Sequence, residues 1–104
     1  MDSNLDDGLT AVSSFEGETA IIAVAGEIDI ASRAVLADAI RAAAEAGATR
    51  FVLDLARVTF MDSSGIAALI DARGVGDVVL RAPSVNVEQL IAITGLSEIF
   101  DVEP

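Results

Sequence analysis

The sequence predicts a single α/β domain with a mostly parallel sheet of four or five strands and helices packed against it. Apolar runs of strand length alternate along the chain with segments in which apolar residues recur every three or four positions. Two strand-type runs, at 19–25 and 51–55, enclose one such helical segment, and this spacing is typical of a right-handed parallel crossover. The length of 104 residues corresponds to one domain.

The first half of the chain divides into four predicted elements. Residues 1–8 are acidic and are expected to form a flexible N-terminus, with the domain spanning 9–104. The first helix, at about Ala31–Ala46, is expected to be capped by Asp29 or Ser32 and to end before Gly47. The elements are an edge strand at Leu9–Phe15, a hairpin partner at Thr19–Ala25, a helix at about Ala31–Ala46 and a buried strand at Phe51–Leu55.

The second half supplies two more helices. The second helix is predicted at about Ser64–Arg73, with Ile66, Leu69 and Ile70 inward and Ala67 and Ala68 outward. A short strand at Val78–Leu80 follows, and Ile99–Val102 is expected to add a strand or a final turn. The third helix begins at Pro83-Ser84 and ends at Gly95, and its predicted inward residues are Val87, Leu90, Ile91 and Thr94.

Composition restricts the possible functions. Cysteine, histidine and lysine are absent, so thiol, imidazole and amine chemistry are excluded. A serine hydrolase would need a base beside its hydroxyl, and a kinase or NTPase would need a glycine-rich phosphate loop that this chain lacks. Asp54 and Asp62 give only a weak hint of a metal site, and Asp54 is more simply a charge on the sheet face. We therefore expect a protein that is not an enzyme and needs no cofactor.

The net charge of -11 opposes binding to nucleic acid or to an anionic membrane and favours a partner with a basic patch. The longest apolar run, Ala20–Ala25, is much shorter than the roughly 18 residues of a membrane span. The acidic start also lacks the basic residues of a signal peptide. A cytoplasmic location is the resulting expectation.

The tetrapeptide Asp62-Ser63-Ser64-Gly65 lies between a strand and a helix, where small oxygen-bearing residues act as N-caps. The unsatisfied N–H groups of a helix start could also receive phosphate oxygens. The loops with Asp29, Asp62-Ser63 and Ser84 should meet, because the carboxyl ends of parallel strands share one edge of a sheet. Capping alone also explains Asp29 and Asp62, and Gly65 fits either close packing or access for a partner.

Three segments in this order resemble the STAS family, the sulphate transporter and anti-sigma factor antagonist domains. They are Gly26-Glu27-Ile28-Asp29, then Phe60-Met61-Asp62-Ser63-Ser64-Gly65 after a Val-Leu-Asp-Leu strand, and finally Thr94-Gly95-Leu96 with Ile99-Phe100. The resemblance covers roughly residues 9–102. In the antagonists of that family, the serine directly after the aspartate accepts a phosphate from a partner kinase, and this position is Ser63 here.

The resemblance implies an anti-sigma factor antagonist that binds an anti-sigma factor serine kinase, releases a sigma factor and is reset by a phosphoserine phosphatase. It also implies a partner-binding surface, expected to contain Asp29, Asp62, Ser63, Ser64, Gly65 and Ser84. Two alternatives from the same family stay open. One is a STAS subunit that docks on a transport ATPase or permease, and the other is a component of a stressosome-type scaffold.

Overall fold

The structure is a computed structural model that describes residues 8–104. The predicted flexible N-terminus therefore lies, apart from Gly8, outside the described residues. The strands are β1 (Leu9–Glu16), β2 (Thr19–Ile28), β3 (Arg50–Met61), β4 (Asp77–Arg81) and β5 (Asp101–Glu103). The helices are α1 (Arg33–Glu45), α2 (Ser63–Ala72) and α3 (Val85–Thr94), followed by a 3₁₀ turn at Leu96–Glu98.

The sheet has the order β1-β2-β3-β4-β5, with β1 and β2 antiparallel and all other neighbours parallel. The predicted α/β class with a mostly parallel sheet is confirmed. Strand order equals chain order, so right-handed crossovers place all three helices on the same face. A single core joins strand residues such as Leu53 and Leu80 to Leu36 of α1, Leu69 of α2 and Val87 of α3.

Strand β3 is longer than predicted. Two register shifts break the alternation of buried and exposed residues in its second half, so the sequence pattern did not reveal that part of the strand. Its pairing with β2 shifts between Ala23 and Ala25 and again between Gly26 and Glu27, and each shift adds one residue to β3. Buried positions therefore fall at Leu55, Val58 and Met61, three residues apart, and not at every second residue. The extension carries the chain past β4 and sets the start of α2 beyond the main sheet.

The helices turn slightly different faces inward from those predicted. In α2 the buried residues are Gly65, Ala68, Leu69 and Ala72, whereas Ile70 is exposed and Ile66 is half-buried. The small residues face inward because α2 packs beside α1 as well as on the sheet, which leaves little room for branched side chains. Thr94 of α3 is also exposed, and its hydroxyl donates to the carbonyl of Leu90 at 2.7 Å.

The other face of the sheet carries no helix among the described residues. Arg81 of β4 and Glu103 of β5 form an ion pair of 2.7 Å across this face. The hydrogen bond to Glu103 raises the pKa of Arg81, and the charge of Asp54 on the neighbouring strand adds to the effect.

None of the helices between residues 8 and 104 has the length and apolar character that crossing a membrane requires.

A substitution at Gly26 tests how closely the backbone of β2 approaches the start of β1. Its φ is +114°, and a Cβ there would overlap the carbonyl oxygen of Gly8, which accepts from the amide of Glu27 at 2.7 Å. We predict that Gly26→Ala lowers the free energy of unfolding by at least about 2 kcal/mol, through left-handed strain plus overlap. Chemical denaturation measures this. Gly17→Ala is the control, since Gly17 has φ +62° and open space around it, so only strain of about 1 kcal/mol is expected. Equal losses in both variants would contradict the overlap.

Candidate functional site

Two loops leave the carboxyl ends of β2 and β3 side by side. Ile28 and Met61 are paired at the ends of these strands, and the amide of Asp62 donates to the carbonyl of Ile28 at 3.3 Å. Asp29 and Asp62 each come directly after one of the paired residues. The expected meeting of these two loops at one edge of the sheet is therefore observed.

Asp62 is the N-cap of α2, as the sequence predicted. Its Oδ1 accepts from the amides of Ser64 at 2.8 Å and Gly65 at 3.3 Å, and its carbonyl accepts from Ile66 at 3.1 Å. A cap of this kind contributes about 1 kcal/mol to helix stability. It also has a consequence that the sequence did not reveal. The amides of Ser64 and Gly65, which were expected to be free for phosphate oxygens, are already occupied by a carboxylate.

Ser63 is the first residue of α2, and its side chain is exposed. Within residues 8–104 its hydroxyl has no hydrogen-bond partner. Ser64, the second hydroxyl of the motif, is half-buried on the next position of the helix. The two serines therefore differ in access, and Ser63 is the more exposed of the two.

Gly65 is buried and forms no part of the exposed surface. A Cβ at this position would overlap Cγ of Met61 and lie 2.9 Å from its Sδ and 3.0 Å from Cγ2 of Ile28. The missing side chain thus lets the first turn of α2 rest directly on the ends of β2 and β3. The close-packing interpretation of Gly65 is confirmed, and its predicted role in partner binding stays a prediction.

Asp29 closes the turn before α1. Its Oδ1 accepts from the amides of Ala31 and Ser32, both at 3.0 Å. Ser32 is buried, and its hydroxyl donates to the carbonyl of Glu27 at 2.6 Å and accepts from the amide of Asp29 at 3.0 Å. Sequence reasoning treated Ser32 only as a possible cap, but its side chain makes no capping bond. It instead holds the end of β2 and the Asp29 turn together.

Ser84 ties the start of α3 to the extension of β3. Its hydroxyl donates to the carbonyl of Val58 at 2.6 Å, and the side-chain amide of Asn86 donates to the carbonyl of Thr59 at 3.3 Å. These carbonyls lie beyond the part of β3 that pairs with β4. The Ser84 hydroxyl is thus used inside the domain, and its predicted role in partner binding stays a prediction.

Exposed apolar side chains stand beside the predicted site residues, and sequence reasoning did not identify them as a surface. Ile30 is 71% exposed, Phe60 48% and Val85 70%. Ile30 follows Asp29, Val85 follows Ser84, and Phe60 lies two residues before Asp62. We call the exposed side chains at these strand ends and helix starts the switch surface, defined by Ile30, Phe60, Ser63 and Val85. Apolar residues gathered in this way are typical of a protein interaction site.

The carboxylates of Asp29 and Asp62 neighbour the switch surface in sequence, since they adjoin Ile30 and Ser63. Among residues 8–104, neither Asp29 nor Asp62 takes part in a salt bridge, and the ion pairs present are Arg41 with Asp38 and Arg81 with Glu103. The described residues also contain no group of three possible metal ligands. Asp54 lies on the open sheet face, where its Oδ1 accepts from the amide of Ala56 at 3.1 Å. The favoured interpretation of Asp54 as a sheet-face charge is therefore confirmed.

Fold and site together describe a small α/β domain that presents an exposed serine at a helix start, beside a capping aspartate. The family model described as "Mlab, STAS domain" matches residues 12–101. The chain therefore belongs to the STAS domain family, as its resemblance to that family indicated. No curated protein matches the chain at a significant level.

Solved structures of anti-sigma factor antagonists are similar to this chain. The antagonist from Mycobacterium paratuberculosis is 28% identical with a TM-score of 0.78, over 98% of this chain and 91% of that one. SpoIIAA in its unphosphorylated form is 23% identical with a TM-score of 0.75, over 89% of this chain and 87% of that one. The phosphorylated form of Bacillus SpoIIAA is 22% identical with a TM-score of 0.68, over 89% and 90% respectively. The two SpoIIAA likenesses support the fold.

The contact between Gly65 and Met61 can be tested with a double-mutant cycle. We predict that Gly65→Ala lowers the free energy of unfolding by about 1–3 kcal/mol, because the added methyl group overlaps the Met61 side chain. In a Met61→Ala background, the same substitution should cost much less, since the overlapping atoms are gone. Urea denaturation of the four proteins measures the coupling. Additive losses would show that Gly65 is not placed by this contact.

Proposed function

We propose that this chain is a phosphorylation-switched anti-sigma factor antagonist. In the unphosphorylated form it binds an anti-sigma factor that is a serine kinase, and the sigma factor is released. Phosphate transfer to Ser63 ends the binding, and a phosphoserine phosphatase restores it. The observation that carries the proposal is the exposed hydroxyl of Ser63, which has no hydrogen-bond partner among residues 8–104 and is fixed at the start of α2. The 28% identity to an anti-sigma factor antagonist over almost the whole chain supports the same role.

The phosphoacceptor can be modified without disturbing the fold. Ser63 makes no contact on which the helix depends, because Asp62 supplies the cap. Its oxygen lies outside the core, so a kinase can reach it while the domain stays folded. The nucleotide and any metal needed for the transfer would come with the partner, since the chain has no phosphate loop of its own.

The charge of the phosphate explains how binding would end. A phosphoserine adds about -1.5 to -2 at neutral pH. It stands directly beside the Asp62 carboxylate, which already holds the amides of Ser64 and Gly65, so these donors are not available to neutralise it. In a complex, this phosphate would face the nucleotide left in the kinase. Bringing like charges together in an interface costs several kcal/mol of binding free energy. Each 1.4 kcal/mol corresponds to a tenfold loss of affinity.

The apolar part of the switch surface would supply the affinity of the unphosphorylated complex. Ile30, Phe60 of β3 and Val85 at the start of α3 are exposed, and burying each such side chain contributes on the order of 1.5–3 kcal/mol. The same contacts persist after phosphorylation, so the switch works against them by repulsion. Asp29 and Asp62 would favour a partner with basic residues at the rim of the interface.

A second candidate function is a STAS subunit that docks on a transport ATPase or permease. It is favoured by the description of the matching family model, which names Mlab and not an antagonist. In that case the switch surface would bind its partner constitutively. Capture of partners from the native cell separates the two: a serine kinase supports the antagonist, and a transport ATPase or permease supports the alternative.

The switch predicts opposite effects for two substitutions at one position. Ser63→Ala should bind the captured kinase permanently and resist phosphorylation. Ser63→Asp should stay folded but bind at least tenfold more weakly, because a fixed negative charge stands beside Asp62. Binding can be measured by titration calorimetry in the presence of ADP, with circular dichroism to verify folding.

Ser64→Ala is the matched control, since it removes the neighbouring hydroxyl of the same helix start. It should still be phosphorylated and should still lose binding afterwards. Mass spectrometry after incubation with the kinase and ATP locates the phosphate. Phosphate on Ser64 alone, or undiminished binding by the protein phosphorylated on Ser63, would refute the switch.

A further inference from the structure

The outer edge of β1 is an unpaired strand edge. Among residues 8–104, β1 pairs only with β2. The amide of Glu27 donates to the carbonyl of Gly8, and Leu9 lies opposite Gly26, so the backbone groups of even-numbered β1 residues point toward β2. The N–H and C=O groups of Leu9, Ala11, Ser13 and Phe15 therefore point away from the sheet. They offer a ladder of eight backbone groups to another strand.

This edge lacks the features that usually protect an edge strand. Such strands commonly carry charges, proline or a bulge that prevents pairing with other molecules. The segment from Leu9 to Phe15 has no charged residue and no proline, and its register with β2 is unbroken. Val12 at its centre is 67% exposed. Among residues 8–104, the strand is thus open to pairing from Leu9 to Phe15.

The neighbouring flank of α1 is also uncharged. At 100° per residue, the buried residues Leu36, Ile40 and Ala43 define the side facing the sheet, and the groove shared with α2 defines a second side. The opposite flank, turned away from α2, carries Val35, Ala39, Ala42 and Ala46. Val35 lines one surface recess with Leu9 of β1, so this flank lies on the same side as the free edge.

The helix and the strand run alongside each other over their full lengths. Val35 lies near Leu9 at one end. At the other end, the amide of Thr49 after α1 donates to the carbonyl of Glu18 in the turn after β1 at 2.8 Å. We name the two together the lateral surface: the outer edge of β1 from Leu9 to Phe15 and the α1 flank of Val35, Ala39, Ala42 and Ala46.

We propose that the lateral surface binds a second copy of this chain, through antiparallel pairing of β1 with β1. A two-fold axis through Val12 sets Val12 opposite Val12 of the second copy, Leu9 opposite its Phe15 and Ala11 opposite its Ser13. This register brings all the outward backbone groups together and makes the two valines a close, non-hydrogen-bonded pair. The same axis places the α1 flanks antiparallel to each other, and alanines allow the helices to approach closely.

Charge favours a second copy over another kind of partner. Each copy carries -11, so two copies repel each other wherever carboxylates meet. The lateral surface contains no carboxylate that would meet another one. In the proposed register, Glu16 at the end of β1 falls opposite the uncharged Gly8 of the second copy. The lateral surface itself carries no charge, and the nearest carboxylates, those of Glu27 and Asp29 in the recess with Leu9 and Val35, lie at one end of it.

Sedimentation of the full chain between about 10 μM and 1 mM tests the pairing, and a species of twice 10.7 kDa is expected. Ala42→Glu should raise the dissociation constant at least tenfold, because it places two carboxylates near the two-fold axis. Ala37→Glu is the matched control: the same change on the same helix, also exposed, but on the side of α2. It should leave dimerisation unchanged. Ser63 takes no part, so neither result depends on the proposed switch.

Amide hydrogen exchange provides an internal control within β1. The outward amides of Ala11 and Ser13 should become protected as protein concentration rises, whereas those of Val12 and Ser14, bonded to β2, should be protected at every concentration. A chain that stays monomeric at 1 mM would overturn the proposal. So would a dimer that Ala42→Glu leaves intact, or one in which the Ala11 and Ser13 amides still exchange rapidly.

Discussion

The capping of α2 by Asp62 is the interaction on which the functional part of this structure depends. One carboxylate oxygen satisfies the amides of Ser64 and Gly65, so the helix begins at Ser63 without using the Ser63 hydroxyl. If the serine itself were the cap, its oxygen would be bound to the backbone and less accessible to a kinase. The aspartate thus caps the helix and leaves the Ser63 hydroxyl unbound among residues 8–104, as the proposed phosphoacceptor role requires.

The backbone approach at Gly65 makes this cap possible. With no side chain at this position, the first turn of α2 rests against Met61 and Ile28, the last paired residues of β3 and β2. The bulged extension of β3 carries the turn out past β4, and the bonds from Ser84 and Asn86 support the free side of that extension. The close packing at Gly65, the extension of β3 and the hydrogen bonds from Ser84 and Asn86 therefore fix the position of the Ser63 hydroxyl. The hydroxyl itself makes none of these contacts.

The sequence predicted the α/β class, the mostly parallel sheet and an N-cap within Asp62-Ser63-Ser64, because each depends on local pattern or short spacing. It failed where the pattern is broken by tertiary structure. The bulges changed the spacing of buried residues in β3, and the packing of α2 beside α1 selected Ala68 over Ile70 as an inward residue. The exposure of Ile30, Phe60 and Val85 was equally hidden, since an apolar residue near a turn looks the same in sequence whether it is buried or not.

The occupied helix start also bears on how long a phosphorylated state would last. Because the Ser64 and Gly65 amides are held by Asp62, a phosphate on Ser63 gains no latch inside the domain. In the proposed switch, a phosphatase would therefore not have to displace the phosphate from these two amides. The persistence of the signal would then be a property of the enzymes in the cell. The lifetime of the phosphorylated domain would then be set by how fast the phosphatase reaches it, and not by the domain itself.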